Sequence, residues 1–105
     1  MSEQENHPVH YNKEGRKECI VEMKERYGAE YTAVFALLSA YKYGYRAGDK
    51  EGNPSERDMG KAEWYSEYVD DKLLPYIEDA VLKNENFCRL LLDIKEMLGE
   101  KYEND

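Results

Sequence analysis

The sequence predicts an all-α protein, a compact bundle of about four helices preceded by an extended N-terminal arm. Apolar side chains recur every three to four residues in several stretches, which is the spacing of one helix face. No stretch of useful length alternates apolar and polar residues as a half-buried strand does. The 105 residues fit one domain, and a domain of this size buries about two-thirds of its unfolded surface, enough for one core.

This predicted domain has three parts. Residues 1–12 form the arm, residues 13–83 hold the helices that carry sequence motifs, and residues 84–105 form an amphipathic helix with a frayed tail. The arm is polar throughout, and Pro8 disfavours a helical backbone at the residue before it.

The first helix is predicted over Glu14–Tyr27, and Gly28 is a natural residue to end it. Its apolar face consists of Cys19, Ile20, Met23 and Tyr27. Both cysteines, Cys19 and Cys88, have apolar neighbours, which predicts buried free thiols. No CxxC pair occurs, so the sequence indicates neither a zinc site nor a thioredoxin-type motif.

The second helix is predicted over Glu30–Arg46 and is the most apolar segment. Its apolar residues cover more than one face, which is typical of a central helix. Gly44 weakens its end, and the loop that follows is rich in turn-forming residues.

The third helix is predicted to begin at Asn53, a capping residue followed by Pro54 at the first helical position. Its apolar spacing runs on past Pro75, where the missing backbone donor predicts a kink or a break. The fourth helix is predicted to start near Asn84 or Asn86 and carries an amphipathic stripe. The last five residues are expected to fray.

The charge is strongly acidic. Fifteen Lys and Arg against 23 Asp and Glu give a net charge of −8, and residues 63–105 alone carry −7. We therefore expect no direct nucleic-acid binding and no binding to anionic membranes, since both need clustered positive charge. The acidic half either keeps the protein soluble or meets a basic protein partner. A polar N-terminus and the lack of a long apolar run predict a cytoplasmic protein.

Three groups of residues are candidates for a site. The first is the arm sequence His7-Pro8-Val9-His10-Tyr11. Its rings either pack on the helices or contact an anionic or base-like ligand, because histidine donates to phosphate and stacks on bases. A metal site is disfavoured, because Pro8 prevents the helix that would bring the two histidines together.

The second group is Lys42 with Arg46, four residues apart and so on one helix face. Two neighbouring cations suit a phosphate, with Arg as a bidentate donor and Lys as a point charge. Tyr41, Tyr43 and Tyr45 surround them in sequence and offer rings for stacking on a base. By themselves, cations in the last turn of a helix are more typical of a solvated helix end, where they complement the helix dipole.

The third group is Asp58, Lys61, Trp64 and Tyr65 near the start of the third helix. Asp58, Lys61 and Tyr65 fall on one face, and backbone N–H groups at a helix start can bind an anion. Trp64 is more typical of a core or an interface than of a residue that stacks on a ligand.

Taken in order, the segments HPVHY, GRKECI, KYGYRAG and DMGKAEWY resemble the SaV-like family of small bacteriophage proteins. That family was formerly classed as a phage domain of unknown function, and its members are often described as nucleotide kinases. The resemblance covers residues 6–68. It implies a phage-encoded protein in the host cytoplasm that binds a nucleotide.

The resemblance carries over to nine residues here. Those implied to bind the nucleotide are His7, His10, Tyr11, Lys42, Arg46, Trp64 and Tyr65, and those implied to act in catalysis are Asp58 and Lys61. If the protein transfers a phosphoryl group to a nucleoside monophosphate, Mg²⁺ is the implied cofactor. The sequence contains no glycine-rich phosphate loop.

Two further hypotheses remain open. One is a non-enzymatic counter-defence or host-takeover protein, which inhibits a basic host protein or sequesters a nucleotide signal. The other is a homo-oligomer, since ten tyrosines and the amphipathic fourth helix suit an interface.

Overall fold

The computed structural model describes residues 18–47 and 55–103. Within these ranges the backbone is almost entirely helical and contains no strand, which confirms the all-α prediction. The α-helices are, in chain order, α1 (Cys19–Tyr27), α2 (Ala29–Arg46), α3 (Ser55–Tyr68), α4 (Asp79–Leu82) and α5 (Glu85–Glu103). The predicted arm, residues 13–17 and the predicted cap at residues 53–54 lie outside the described residues.

Gly28 separates α1 from α2, as predicted. Its backbone has φ 97°, a conformation that side chains with a Cβ rarely adopt. The Gly28 N–H donates to the Lys24 carbonyl at the end of α1. The Thr32 hydroxyl donates to the Gly28 carbonyl at 2.9 Å. One glycine therefore ends the first helix and lets the second begin at once.

Helix α2 is central, as predicted, and packs against α1, α3 and α5. Its buried face is nevertheless made mainly of alanines, with Ala33, Ala36 and Ala40 fully buried and Leu37 beside them. Most of its large apolar side chains lie on the opposite, exposed face. The small residues allow the neighbouring helices to approach α2 closely.

The break predicted at Pro75 is present and starts earlier than the proline. Helix α3 ends at Tyr68, a π-helical turn follows over Val69–Leu73, and a 3₁₀ turn covers Leu74–Tyr76. Proline has no N–H to donate to the preceding turn, so the regular α-helix cannot continue through it. Val69 and Leu73 remain fully buried, so the irregular turn keeps the apolar face of the segment in the core.

Helix α5 begins after Asn84, as predicted. The Asn84 side-chain oxygen accepts hydrogen bonds from the backbone N–H groups of Asn86 and Phe87, at 2.9 and 3.0 Å. Phe87 and Ile94 bring its apolar stripe into the core. The helix runs to Glu103, further than the frayed tail that the sequence predicts. The short helix α4 was not predicted.

Removing the α5 cap is expected to destabilise the fold. Asn84→Ala leaves two N–H groups of the first turn without their side-chain acceptor, at a cost of about 1 kcal/mol. Asn86→Ala is the matched control, because the Asn84 cap stays intact and the expected change is within about 0.5 kcal/mol. Urea denaturation of both variants checks this, and equal losses would contradict the assignment of the cap.

The prediction that both thiols are buried is wrong for Cys19, which is exposed at the start of α1. Only Ile20 in that turn is buried, and the helical rotation of about 100° per residue turns its neighbour outward. Cys88 is half-buried, and its thiol donates to the Leu82 carbonyl at 2.9 Å. Among the described helices none combines the length and apolar character needed to cross a membrane.

Candidate functional site

Three cationic side chains surround the ring of Tyr43. Lys42 Nζ lies 4.6 Å from the ring centroid, Lys61 Nζ 5.1 Å and Arg46 Cζ 5.7 Å. Because they share one ring, the three charges lie within about 11 Å of one another, which is close to the Debye length of about 10 Å in 0.1 M salt. We call Lys42, Tyr43, Arg46 and Lys61 the Tyr43 cluster.

Two packed helices bring the cluster together. Lys42, Tyr43 and Arg46 come from the last turns of α2, and Lys61 comes from the middle of α3. Helices α2 and α3 form the most extensive helix pair among the described residues. The structure thus brings the second and third candidate groups together, although they are separate in sequence. Lys42 and Arg46 lie on one face of α2, as their spacing predicts.

Asp58 lies beneath the cluster. Its side chain is 1% exposed, and its Oδ2 atom is 3.9 Å from the Nε atom of Arg46, whose side chain is 35% exposed. This distance fits an ion pair and is too long for a hydrogen bond. The buried carboxylate partly offsets the charge of Arg46.

An aromatic layer lies next to the cluster. The Tyr43 and Tyr65 rings are nearly parallel, with centroids 6.1 Å apart, and Trp64 meets Tyr65 edge-on at 5.1 Å. Burial raises the pKa of Tyr65, and the neighbouring Tyr43 adds to this effect. Tyr65 therefore remains a neutral phenol at physiological pH and offers the site a ring and a hydroxyl group.

The aromatic residues predicted for the site need one correction and one addition. Tyr41 and Tyr45 do not line the cluster with Tyr43, because positions two apart on a helix point in different directions. They stack on each other instead, with centroids 6.3 Å apart on the exposed side of α2. Sequence reasoning also missed Phe35, whose ring meets Tyr65 edge-on at 5.9 Å. Eight residues turn a helix about 80° beyond two full turns, so spacing within α2 did not place Phe35 on the same flank as Tyr43.

The arm residues His7, His10 and Tyr11 lie outside the described residues, so their place in the site stays a prediction. The first described residue, Glu18, lies near α3. Burial raises the pKa of Tyr68, and the Glu18 carboxylate raises it further. Glu18 therefore lies at the edge of the aromatic layer, because Tyr68 meets Trp64 at a centroid distance of 5.2 Å.

The chemistry of the site is that of an anion site next to flat rings. Arg and Lys donors suit phosphate oxygens, and aromatic rings suit a base. A resident metal fits less well. Among the described residues, no three His, Cys, Asp or Glu side chains group as metal ligands. The carboxylate paired with the cluster, that of Asp58, is buried.

Comparison with known proteins gives one family. A family model described as a protein of unknown function, DUF3310, matches residues 5–67. This stretch is nearly the same as the one covered by the sequence motifs, and it includes all nine candidate site residues. No curated protein and no solved structure matches the chain.

Proposed function

Because the chain belongs to the DUF3310 family, whose function is unknown, we propose a role from the site itself: the protein binds a nucleotide at the Tyr43 cluster. The phosphate group meets Lys42, Arg46 and Lys61, and the base stacks in the aromatic layer formed with Trp64 and Tyr65. The resemblance to SaV-like phage proteins supports the same ligand class.

The observation that carries this proposal is the convergence of three cations on one ring in a protein of net charge −8. Placing like charges together costs free energy, and a bound anion removes that cost. An interaction of a cation with a ring contributes only about 0.5–1 kcal/mol at an exposed site. The Asp58 carboxylate partly offsets the charge of Arg46, so a bound anion would serve mainly to offset the charge that remains in the cluster.

We propose binding rather than turnover as the primary activity. Phosphoryl transfer needs an acidic or amide group that touches the metal or the attacking hydroxyl. Asp58 is the resemblance-implied candidate, yet it is buried beside Arg46. Its position suits orienting Arg46 for a phosphate. No group of three or more candidate metal ligands occurs among the described residues, and we derive no catalytic step through Mg²⁺.

Arg46→Ala is expected to weaken nucleotide binding at least tenfold, because it removes the one planar donor of the cluster that can contact two phosphate oxygens. Isothermal titration calorimetry with nucleoside mono-, di- and triphosphates, cyclic nucleotides and inorganic phosphate measures the effect. Arg89→Ala, an exposed arginine on α5, is the matched control and is expected to bind as the unmodified protein does.

Two outcomes contradict the proposal. Absence of binding heat for every nucleotide, confirmed by an equilibrium method such as dialysis, removes the proposed function. Equal weakening in Arg46→Ala and Arg89→Ala, with both proteins folded by circular dichroism, places binding elsewhere on the surface.

A further inference from the structure

Helix α2 presents a stripe of large apolar side chains to solvent. The α2 stripe consists of Tyr31, Phe35, Leu38, Tyr41 and Tyr45, and the exposed fraction of these residues runs from 41% for Phe35 to 70% for Tyr31. The stripe lies opposite the buried alanine face of the same helix. Scattered exposed apolar residues are ordinary, whereas five along one helix form a continuous patch of the kind found at interfaces.

We propose that the α2 stripe is the interface of a symmetric dimer, in which the α2 helices of two copies pack antiparallel. The spacing of the stripe supports two-fold symmetry, because the intervals along α2 are four, three, three and four residues. The pattern is the same from either end, with Leu38 at its centre. In an antiparallel pair, Tyr31 then meets Tyr45 of the second copy, and Phe35 meets Tyr41. This proposal does not rest on nucleotide binding.

The charges of α2 favour the antiparallel arrangement. Its one acidic residue, Glu30, is in the first turn, and its two cations, Lys42 and Arg46, are in the last two turns. An antiparallel pair brings the acidic end of each helix to the cationic end of the other, and it also opposes the helix dipoles. A parallel pair brings like charges together and is disfavoured.

The area suits a second copy of this chain. At about 200 Å² for each aromatic side chain, the exposed part of the stripe comes to roughly 550 Å² per copy. If each copy covers the whole stripe of the other, the pair buries about 1,100 Å², just above the roughly 1,000 Å² expected of a specific interface. Interfaces are also enriched in tyrosine and phenylalanine, which supply four of the five stripe residues.

A cavity beside the stripe adds a place for a partner side chain. It has a volume of about 360 Å³, and its walls include Glu30 and Val34 of α2 with Val81, Phe87 and Leu90. Tyr45 of the second copy, opposite Tyr31, lies within one helical turn of this cavity.

The test is sedimentation velocity of the full chain over a range of concentrations, with two leucine variants. Leu38→Glu places two negative charges near the symmetry axis and is expected to raise the dimer dissociation constant at least tenfold. Leu92→Glu alters a leucine of α5 that is 63% exposed and outside the stripe, and it is expected to leave the constant unchanged. Circular dichroism establishes that both variants are folded.

Disulfide cross-linking tests the orientation in a Cys19→Ser, Cys88→Ser background. Leu38→Cys is expected to cross-link to its own copy. Tyr45→Cys is expected not to, because the two copies of residue 45 are about 21 Å apart along the helix axis at 1.5 Å per residue. Equal cross-linking of both variants overturns the antiparallel arrangement. A protein that is monomeric at every concentration, or equal effects of the two glutamate substitutions, overturns the dimer and assigns the stripe to another occupant.

Discussion

Asp58→Ala is expected to lower the free energy of unfolding by about 2–3 kcal/mol, the largest loss that we predict. The substitution removes a carboxylate that is 1% exposed and leaves the Arg46 guanidinium beside an empty space. The loss stays below that for a fully buried ion pair, since water still reaches the partly exposed Arg46 side chain. Urea denaturation followed by circular dichroism measures it.

Two comparisons separate the ion pair from other causes. Glu67→Ala removes an exposed carboxylate from the same helix, and a change within about 0.5 kcal/mol is expected. In an Arg46→Ala background, the loss caused by Asp58→Ala is expected to shrink by at least about 0.5 kcal/mol, as for two groups in contact. Strictly additive losses would show that Asp58 stabilises the fold through other neighbours.

Gly44→Ala is expected to lower the free energy of unfolding by up to about 2 kcal/mol, because an overpacking cost of about 1–3 kcal/mol exceeds the gain of about 1 kcal/mol that alanine has over glycine in a helix. A Cβ atom at Gly44 would lie 2.0 Å from the sulfur of Met97. Met97 then has to leave its place between α2 and α5. The same substitution in a Met97→Ala background is expected to stabilise the protein by about 0.5–1 kcal/mol, because only the helix propensity remains.

Gly99→Ala is the control for the expected change from a loss of stability in the unaltered protein to a gain in the Met97→Ala background. Gly99 also lies in a helix, and no atom lies within 4 Å of a Cβ built there. We expect a gain of about 0.5–1 kcal/mol from this substitution in both backgrounds. If Gly44→Ala stabilises the unaltered protein as much as Gly99→Ala does, Met97 does not restrict the position.

The helices were predictable because local signals agree with the fold. Gly28 ends α1, Asn84 caps α5 and Pro75 marks a break, and each acts through its own backbone or side chain. The faces of α2 were harder to predict. Hydrophobic periodicity gives the most weight to large apolar side chains, so it predicts that Tyr31 and Leu38 are in the core. In the structure the core positions are taken by alanines, because they allow the helices to pack closely. The contact between Gly44 and Met97 depends on how α5 packs against α2. The sequence of α2 alone therefore could not predict it.

In the candidate site, too, local spacing predicted some features, and others depend on how the helices pack. The shared face of Lys42 and Arg46 follows from helical spacing, and so does that of Asp58 and Lys61. Their meeting around Tyr43 depends on how α2 crosses α3, which spacing within one helix cannot give. The burial of Asp58 had a signal, because the spacing of Asp58 from Ala62 and Val69 matches the core face of α3. The arm residues stay a prediction.

The alanine face of α2 limits which substitutions the helix tolerates, because nearly all of them enlarge a side chain. Ala33, Ala36 and Ala40 are each 0% exposed, so every replacement except glycine adds volume where neighbouring helices already touch. A core built on leucines can be trimmed at one position and refilled at another, as long as total volume is kept. At these three positions almost no side-chain volume remains to trim. Variation among homologues that keep this packing is therefore expected on the facing helices, while the three alanine positions stay small.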